Sequence, residues 1–242
     1  MSARRYGEVA AQIRDLVARE GIEPGGRLMP ERALSVRLDV SRSIIREAIV
    51  LLEIEGLVEV RRGSGIYLGD PGATASLPEP DDIGPFELLQ ARQILEAEIA
   101  GFAARMVTKA DIDRMRATLE GERLSLANGD GDYAGDRAFH RQVAEATQNS
   151  VLVDMVEDLW RKREQSSIWA GLHRRIFETD YRADWLDDHQ AILDALRARN
   201  ERAARSAMWR HLGNVRDRLM TLSDVEDPRF DGYLFDDVPL KP

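Results

Sequence analysis

Four histidines stand in this 242-residue chain, and all lie in its second half: His140, His173, His189 and His211. Asp136 precedes His140 by four residues, so on a helix the two side chains share one face. His189 and His211 fall on two later stretches of helical spacing. One carboxylate and three imidazoles converging inside a helical bundle would bind a divalent metal ion, because neutral imidazole and carboxylate oxygen are both common ligands. Spacing leaves a plainer reading open, in which each histidine is a hydrogen-bonded core residue.

A second chemistry-bearing set lies near the N-terminus. Ser41-Arg42-Ser43-Ile44-Ile45-Arg46 puts two guanidinium groups and two hydroxyls on the first turns of one expected helix. Arginine can take guanine O6 and N7 bidentately, short hydroxyls can reach phosphate or base, and helix N-terminal amides favour phosphate. Arg32, on the preceding helix, could hold the DNA backbone. Arg62-Gly63, at the tip of an expected hairpin, would reach the minor groove or a flanking phosphate. Surface helices often carry arginines in plain solvent, so residue type alone leaves that reading open. The order of elements around them favours DNA.

Those elements follow from periodicity. Val9, Ile13, Leu16 and Val17 give a first helix over 6–19, and Pro30 opens a short second one, Glu31–Leu38. Ser41 can cap a third, with Ile45, Ala48, Ile49 and Leu52 as its apolar stripe and Gly56 at its end. Residues 57–61 alternate as a strand, Gly63-Ser64-Gly65 turns, and Ile66-Tyr67-Leu68 returns. Three helices and a hairpin within residues 1–69 predict a winged helix-turn-helix. Residues 70–84, with Pro71, Gly72, Pro78, Pro80 and Gly84, read as a linker. Helical spacing then predicts helices near 86–106, 109–128, 133–147, 150–170, 181–199 and 201–222, an all-α antiparallel bundle over 85–225. Thr108 and Asp111 form a capping-box pattern. The tail, 226–242, is acidic and aromatic, and is expected to pack over the body or the linker. The fold class is therefore mainly α.

The net charge is −9, which at first argues against nucleic acid. Its distribution reverses that: residues 1–69 carry 11 Lys+Arg and 10 Asp+Glu, while the rest carries 23 against 33. Phosphate binding needs a local cationic surface rather than a basic whole. The chain has no cysteine, which excludes disulfides and thiolate ligands and suits the cytoplasm. No apolar run approaches 20 residues, so no membrane span is expected.

LMPERALSVRLDVSRSIIREAIVLLEIEGLVEVRRGSGIYL resembles the winged-helix domain of the GntR family of bacterial transcription regulators. The helical body resembles the FCD effector domain of the FadR-type subgroup. The resemblance implies that Arg32, Ser41, Arg42, Ser43, Arg46, Arg62 and Gly63 touch DNA. Ile44 matches a contact position too, but its side chain offers no hydrogen bond. Met29 precedes Pro30 where the family usually has Leu-Pro, a departure that bears only on the aim of Arg32. Metal-binding FCD domains use an Asp-x3-His pair and one histidine on each of two later helices, which implies Asp136, His140, His189 and His211 as ligands. Zinc is the default ion, with nickel or manganese possible, and open coordination positions would suit the carboxylate of an acid effector. Arg92 is a candidate second clamp on that carboxylate, Asn214 could reach a sugar hydroxyl, and His173 could line the effector pocket or sit on a loop. EIEGLVEVRRGSGIYL, GPFELLQARQILE, EATQNSVLVDM and FDGYLFD resemble hexuronate-utilisation repressors of the UxuR/ExuR type. That implies a sugar-acid effector such as a fructuronate, glucuronate or galacturonate.

The expectation is a homodimeric repressor on a palindromic operator in double-stranded DNA, released by a sugar acid and not an enzyme. Three rivals remain: a metal-dependent enzyme acting on a small organic acid, a GntR-type regulator of a different carboxylate, and a DNA-binding protein whose metal is only structural.

Overall fold

The protein is described by a computed structural model covering residues 5–61, 64–69, 82–128, 134–173 and 181–222. The chain divides into two compact units. The first draws its described residues from 1–86, 166–177 and 219–242, the second from 87–165 and 178–218.

The first unit holds α1 (Arg5–Glu20), α2 (Glu31–Leu38), α3 (Arg42–Ile54), β1 (Val58–Arg61) and β2 (Gly65–Leu68). The α1 face Val9, Ile13, Leu16 and Val17 is buried as its spacing predicts. Asp39 takes a left-handed conformation (φ 53°) that ends α2, and Ser41 Oγ accepts from the Ile44 amide at 3.3 Å to start α3. Three residues, Asp39, Val40 and Ser41, separate the helices, so the turn is as tight as the sequence suggests. Gly56 (φ 73°) reverses the chain after α3 into an antiparallel hairpin that sets Val60 opposite Ile66. Leu28 donates to Ile66 at 2.8 Å and Leu68 donates to Gly26 at 2.8 Å, so the chain before α2 edges the wing. Ile13, Leu34, Ile45, Ile49, Leu52 and Ile66 are fully buried and form the core that orients α3. This is the expected winged helix-turn-helix.

The second unit is helical. Its elements are α4 (Pro85–Met106, from Glu87 on), α5 (Lys109–Ala127), α6 (Ala134–Glu145), α7 (Ser150–Gln165), α9 (Tyr181–Arg197) and α10 (Glu201–Leu222, to Arg218). Leu89, Met115, Leu119, Phe139, Trp160, Ile192, Leu196 and Met208 fill its interior. The Thr108 capping box forms: Asp111 Oδ2 accepts from the Thr108 amide at 2.8 Å, and Thr108 Oγ1 accepts from the Asp111 amide at 3.2 Å. Arg199 (φ 52°) closes α9, and its guanidinium donates to the carbonyls of Arg105 and Val107, tying that corner to the end of α4.

One expected element differs. The helix read over 150–170 breaks at Ser166, and a separate helix α8 (Ser167–His173) follows. Ser166 Oγ accepts from the Trp169 amide at 2.9 Å, and Asp82 Oδ2 accepts from the Ser167 and Ile168 amides at 2.8 and 3.0 Å. Two caps acting on the same turn stop α7 and start α8, which belongs to the first unit and packs on α3. Residues 82–84, read as the end of the linker, take part in this: Ile83 O accepts from Ser166 Oγ at 2.9 Å and Asp82 O from the Tyr6 hydroxyl at 2.7 Å. The tail 226–242 and linker residues 70–81 lie outside the described residues. Among the described residues no helix is long and apolar enough to cross a membrane.

Thr108→Ala removes one side of the capping box and should cost about 1 kcal/mol. Urea unfolding followed by far-UV circular dichroism checks this, and an unchanged midpoint would show that the box contributes nothing.

Candidate functional site

Asp136 and His140 lie one turn apart on α6, His189 on α9 and His211 on α10, and all four are buried. One ligand atom from each lies within 4.8 Å of the others. His211 Nε2 is 3.2 Å from both His140 Nε2 and His189 Nε2, while Asp136 Oδ1 is 3.3 Å from His140 Nε2 and 3.5 Å from His189 Nε2. Four residues read from the sequence therefore meet at one point, and each imidazole turns the same nitrogen inward.

The opposite nitrogen of every ring faces a carboxylate. Glu96 on α4 bonds His140 Nδ1, Glu122 on α5 lies 3.4 Å from His189 Nδ1, and Asp188 on α9 lies 3.5 Å from His211 Nδ1. A carboxylate behind Nδ1 favours a proton there, so that a neutral ring would present its Nε2 lone pair to the centre. Burial opposes a charge on His140, but Glu96 and Asp136 outweigh it and raise its pKa to about 9. Burial, reinforced by His189, lowers His211 to about 3. Burial pushes the Asp136 carboxyl upward, yet its bond to His140 and the nearby charges hold it far below the usual carboxylate range. Glu96 is held down to about 2 against burial by Arg92 and His140.

This donor set fits a metal ion. Ligand atoms each about 2.0–2.2 Å from one ion stand roughly 3–3.5 Å apart when adjacent, which matches the spacings above. Four carboxylates, Asp136, Glu96, Glu122 and Asp188, lie against the three rings, and Arg92 pairs with Glu96, so a cation would also balance the local charge. The cluster could thus hold a divalent ion through three imidazoles and one carboxylate, a hard–borderline set suited to zinc, nickel or manganese.

Arg92 stands beside this centre on α4. Its Nε donates to Glu96 Oε1 at 2.7 Å, and its guanidinium carbon lies 4.3 Å from the centre of the Trp160 ring, which is 5.7 Å from the His140 ring. Both side chains are buried, and Arg92 Nη2 and Trp160 Nε1 have no hydrogen-bond partner among the described residues. Asn214 is not at the centre: its Nδ2 donates to Asp188 at 3.0 Å, so it steadies the carboxylate behind His211. His173 ends α8 in the first unit, and its side chain lies outside the described residues. Sequence reasoning missed Glu96, Glu122 and Trp160 as members of this site. Glu96 could have been found, since it follows Arg92 by four residues on one helix; nothing local marks Glu122.

The candidate DNA residues divide. Arg32 is exposed on α2. Ser41 caps α3 and its hydroxyl lies 2.9 Å from that of Ser43. Arg42, Ser43 and Arg46 are buried. Arg46 is fully enclosed, pairing with Glu31 at 2.5 Å and donating to the Met220 carbonyl. Arg62 and Gly63 lie outside the described residues, while the neighbouring Arg61 lies over the Tyr67 ring.

Residues 5–68 match the gntR family of bacterial regulatory proteins, and residues 87–214 match the FCD domain. The chain belongs to the GntR family, with an FCD domain as its body. This GntR-family chain is 49% identical to the Uxu operon transcriptional regulator of Escherichia coli K12, covering 98% of this chain and 95% of that one. It is 46% identical to the Uxu operon regulator of Haemophilus influenzae, covering 98% and 90%. Identity to the Exu regulon transcriptional regulator of E. coli K12 is 41%, covering 98% and 93%. These relatives are regulators and not enzymes.

Metal must displace the His140 proton, which the free site holds up to about pH 9, so affinity should rise with pH. Between pH 6 and 8 the gain should approach about ten-fold per unit for each proton released. Calorimetry in two buffers of different ionisation enthalpy measures that release, and a pH-independent affinity would contradict it. Glu122→Gln should weaken metal binding by about 10–100-fold while the bundle stays helical.

Proposed function

We propose that the protein is a DNA-binding repressor whose hold on its operator is set by a sugar acid bound at a divalent metal ion, zinc by default, in the FCD domain. The near-full-length likeness to the Uxu and Exu regulators supports a hexuronate as that acid. The observation that carries the effector half is the pair of buried donors without acceptors, Arg92 Nη2 and Trp160 Nε1, beside a centre built of nitrogen and oxygen ligands. A buried donor left unpaired costs about 1–3 kcal/mol, so a ligand rich in acceptor oxygens recovers that cost on binding.

The roles follow from the chemistry of each group. Asp136, His140, His189 and His211 hold the ion, and the ion offers its open positions to the carboxylate and a neighbouring oxygen of the acid. Arg92 supplies a second, charge-assisted contact to the carboxylate. Trp160 donates its indole N–H to a hydroxyl and covers one side with an apolar ring. An Arg–carboxylate contact in a dry site discriminates against ligands without acceptor oxygens, because such a ligand leaves Arg92 Nη2 unsatisfied.

The head reads DNA through Arg32, Ser41, Arg42, Ser43 and Arg46, with Arg62 and Gly63 at the wing. Two copies related by a two-fold axis would meet a palindromic operator in the cytoplasm. The acid acts by binding one state of the protein more tightly than the other, and can shift operator affinity only by that difference.

Footprinting on duplexes that the protein selects from a randomised library should reveal a short palindrome. Glucuronate, galacturonate or fructuronate should weaken that protection, and should raise the thermal midpoint only in metal-loaded protein. Arg92→Ala should keep metal and operator binding but lose the response to acid. Protection without a palindrome, or indifferent to every uronate, would refute the reading.

A further inference from the structure

Helix α3 is buried on more sides than a groove-reading helix can be. Ile45, Ala48, Ile49 and Leu52 form the core of the head. Round the same helix, Ser43, Arg46, Glu47 and Val50 are also closed off, with exposures of 4, 0, 4 and 0%. Their covers are specific. α8 packs on α3, with Ile168 and Leu172 among its buried residues. The last turn of α10 brings the Met220 carbonyl to Arg46, and the Phe86 amide donates to Glu47 Oε1 at 2.8 Å. Gly84 lies so close that a Cβ there would come within 2.5 Å of the same Glu47 oxygen. Asp82 fastens the cover by capping α8 with its side chain and holding Tyr6 of α1 with its carbonyl.

The major groove, about 12 Å wide, admits one bare helix, and its bases are read by side chains that reach out from it. A second helix on that face excludes the duplex. Arg46 enclosed between Glu31 and a main-chain carbonyl cannot also meet a guanine or a phosphate.

We propose that α8 and the last turn of α10 form an internal clamp on the DNA-reading face of α3, so that this arrangement is the DNA-free state and operator binding requires the clamp to leave. The proposal rests on the regulator reading above. The partner of the reading face is thus a segment of the same chain, within the first unit. α8 follows directly from α7, which carries Trp160, and Met220 lies nine positions after His211 on α10. Both clamp segments therefore continue from helices that hold the candidate effector site. An acid that bound the clamped state more tightly than the open one would favour it, which would give derepression a route.

Hydrogen–deuterium exchange on full-length, metal-loaded protein tests the clamp, with and without a duplex it has selected from a randomised library. The amides of 167–173 should lose protection when the duplex binds, while those of 41–54 stay protected. Leu172→Glu, or the milder Ile168→Ala should the first misfold, should tighten duplex binding about ten-fold, because the competent fraction rises, with metal affinity unchanged. Protection of 167–173 that is indifferent to bound DNA would overturn the clamp and make Arg46 a permanent scaffold residue. So would folded variants that bind no tighter than the parent. Selection of no duplex at all would refute the regulator reading itself and the clamp with it.

Discussion

Three imidazoles turn their Nε2 atoms on one point in a dry core, where His140 keeps a proton that its neighbours must accommodate. That is the constraint on which the bundle turns. The carboxylates behind them leave each ring little freedom to rotate away: Glu96, Glu122 and Asp188 come from α4, α5 and α9, while the rings come from α6, α9 and α10. Five of the bundle's helices thus fix one point, and an ion there would replace the His140 proton with bonds shared by all four ligands. The sixth, α7, contributes Trp160, which lies beside His140 and under Arg92. The centre is consequently both a source of cohesion and the place where a small anion would perturb most helices at once.

The head obeys a different constraint. α3 must be held firmly enough to aim side chains, yet keep one face available. Its core face follows ordinary apolar burial, whereas the other face is closed by α8 together with polar, breakable contacts: a guanidinium on a carbonyl, a carboxylate on an amide. Buried polar contacts of this kind give up little net stability when exchanged for equivalent ones elsewhere, because each group keeps a partner throughout. Glu31, which pairs with Arg46, would have to yield it or share it with an incoming phosphate.

What the sequence made legible was local. The Ser41 cap, the Thr108 box, the Pro30 start and the alternating strand residues depend on neighbours within a turn or two, and the structure has them as read. The Asp136–His140 pair shares that property; pairing it with His189 and His211 needed the family resemblance. Long-range placement was not legible. Ser166 looks like any polar residue in a helix until Asp82, 85 positions before Ser167, caps the turn that follows. Glu122 carries no local sign of facing His189. Arg46 reads as a free cation, because its enclosure depends on Glu31 and on Met220, 174 residues away.

The anchoring of Asp82 changes what the preceding segment is. Gly69 is bonded to Leu57 at 2.7 Å on one side, and Asp82 is held by α1 and α8 on the other. Gly69 and Asp82, the described residues on either side of 70–81, are thus both fixed within the first unit. Closing a longer loop costs slowly more, about 0.6 kcal/mol for each doubling of its length. A change in the number of residues between Gly69 and Asp82 therefore weighs only lightly on the stability of the first unit, as long as the Asp82 carboxylate keeps its hold on α8.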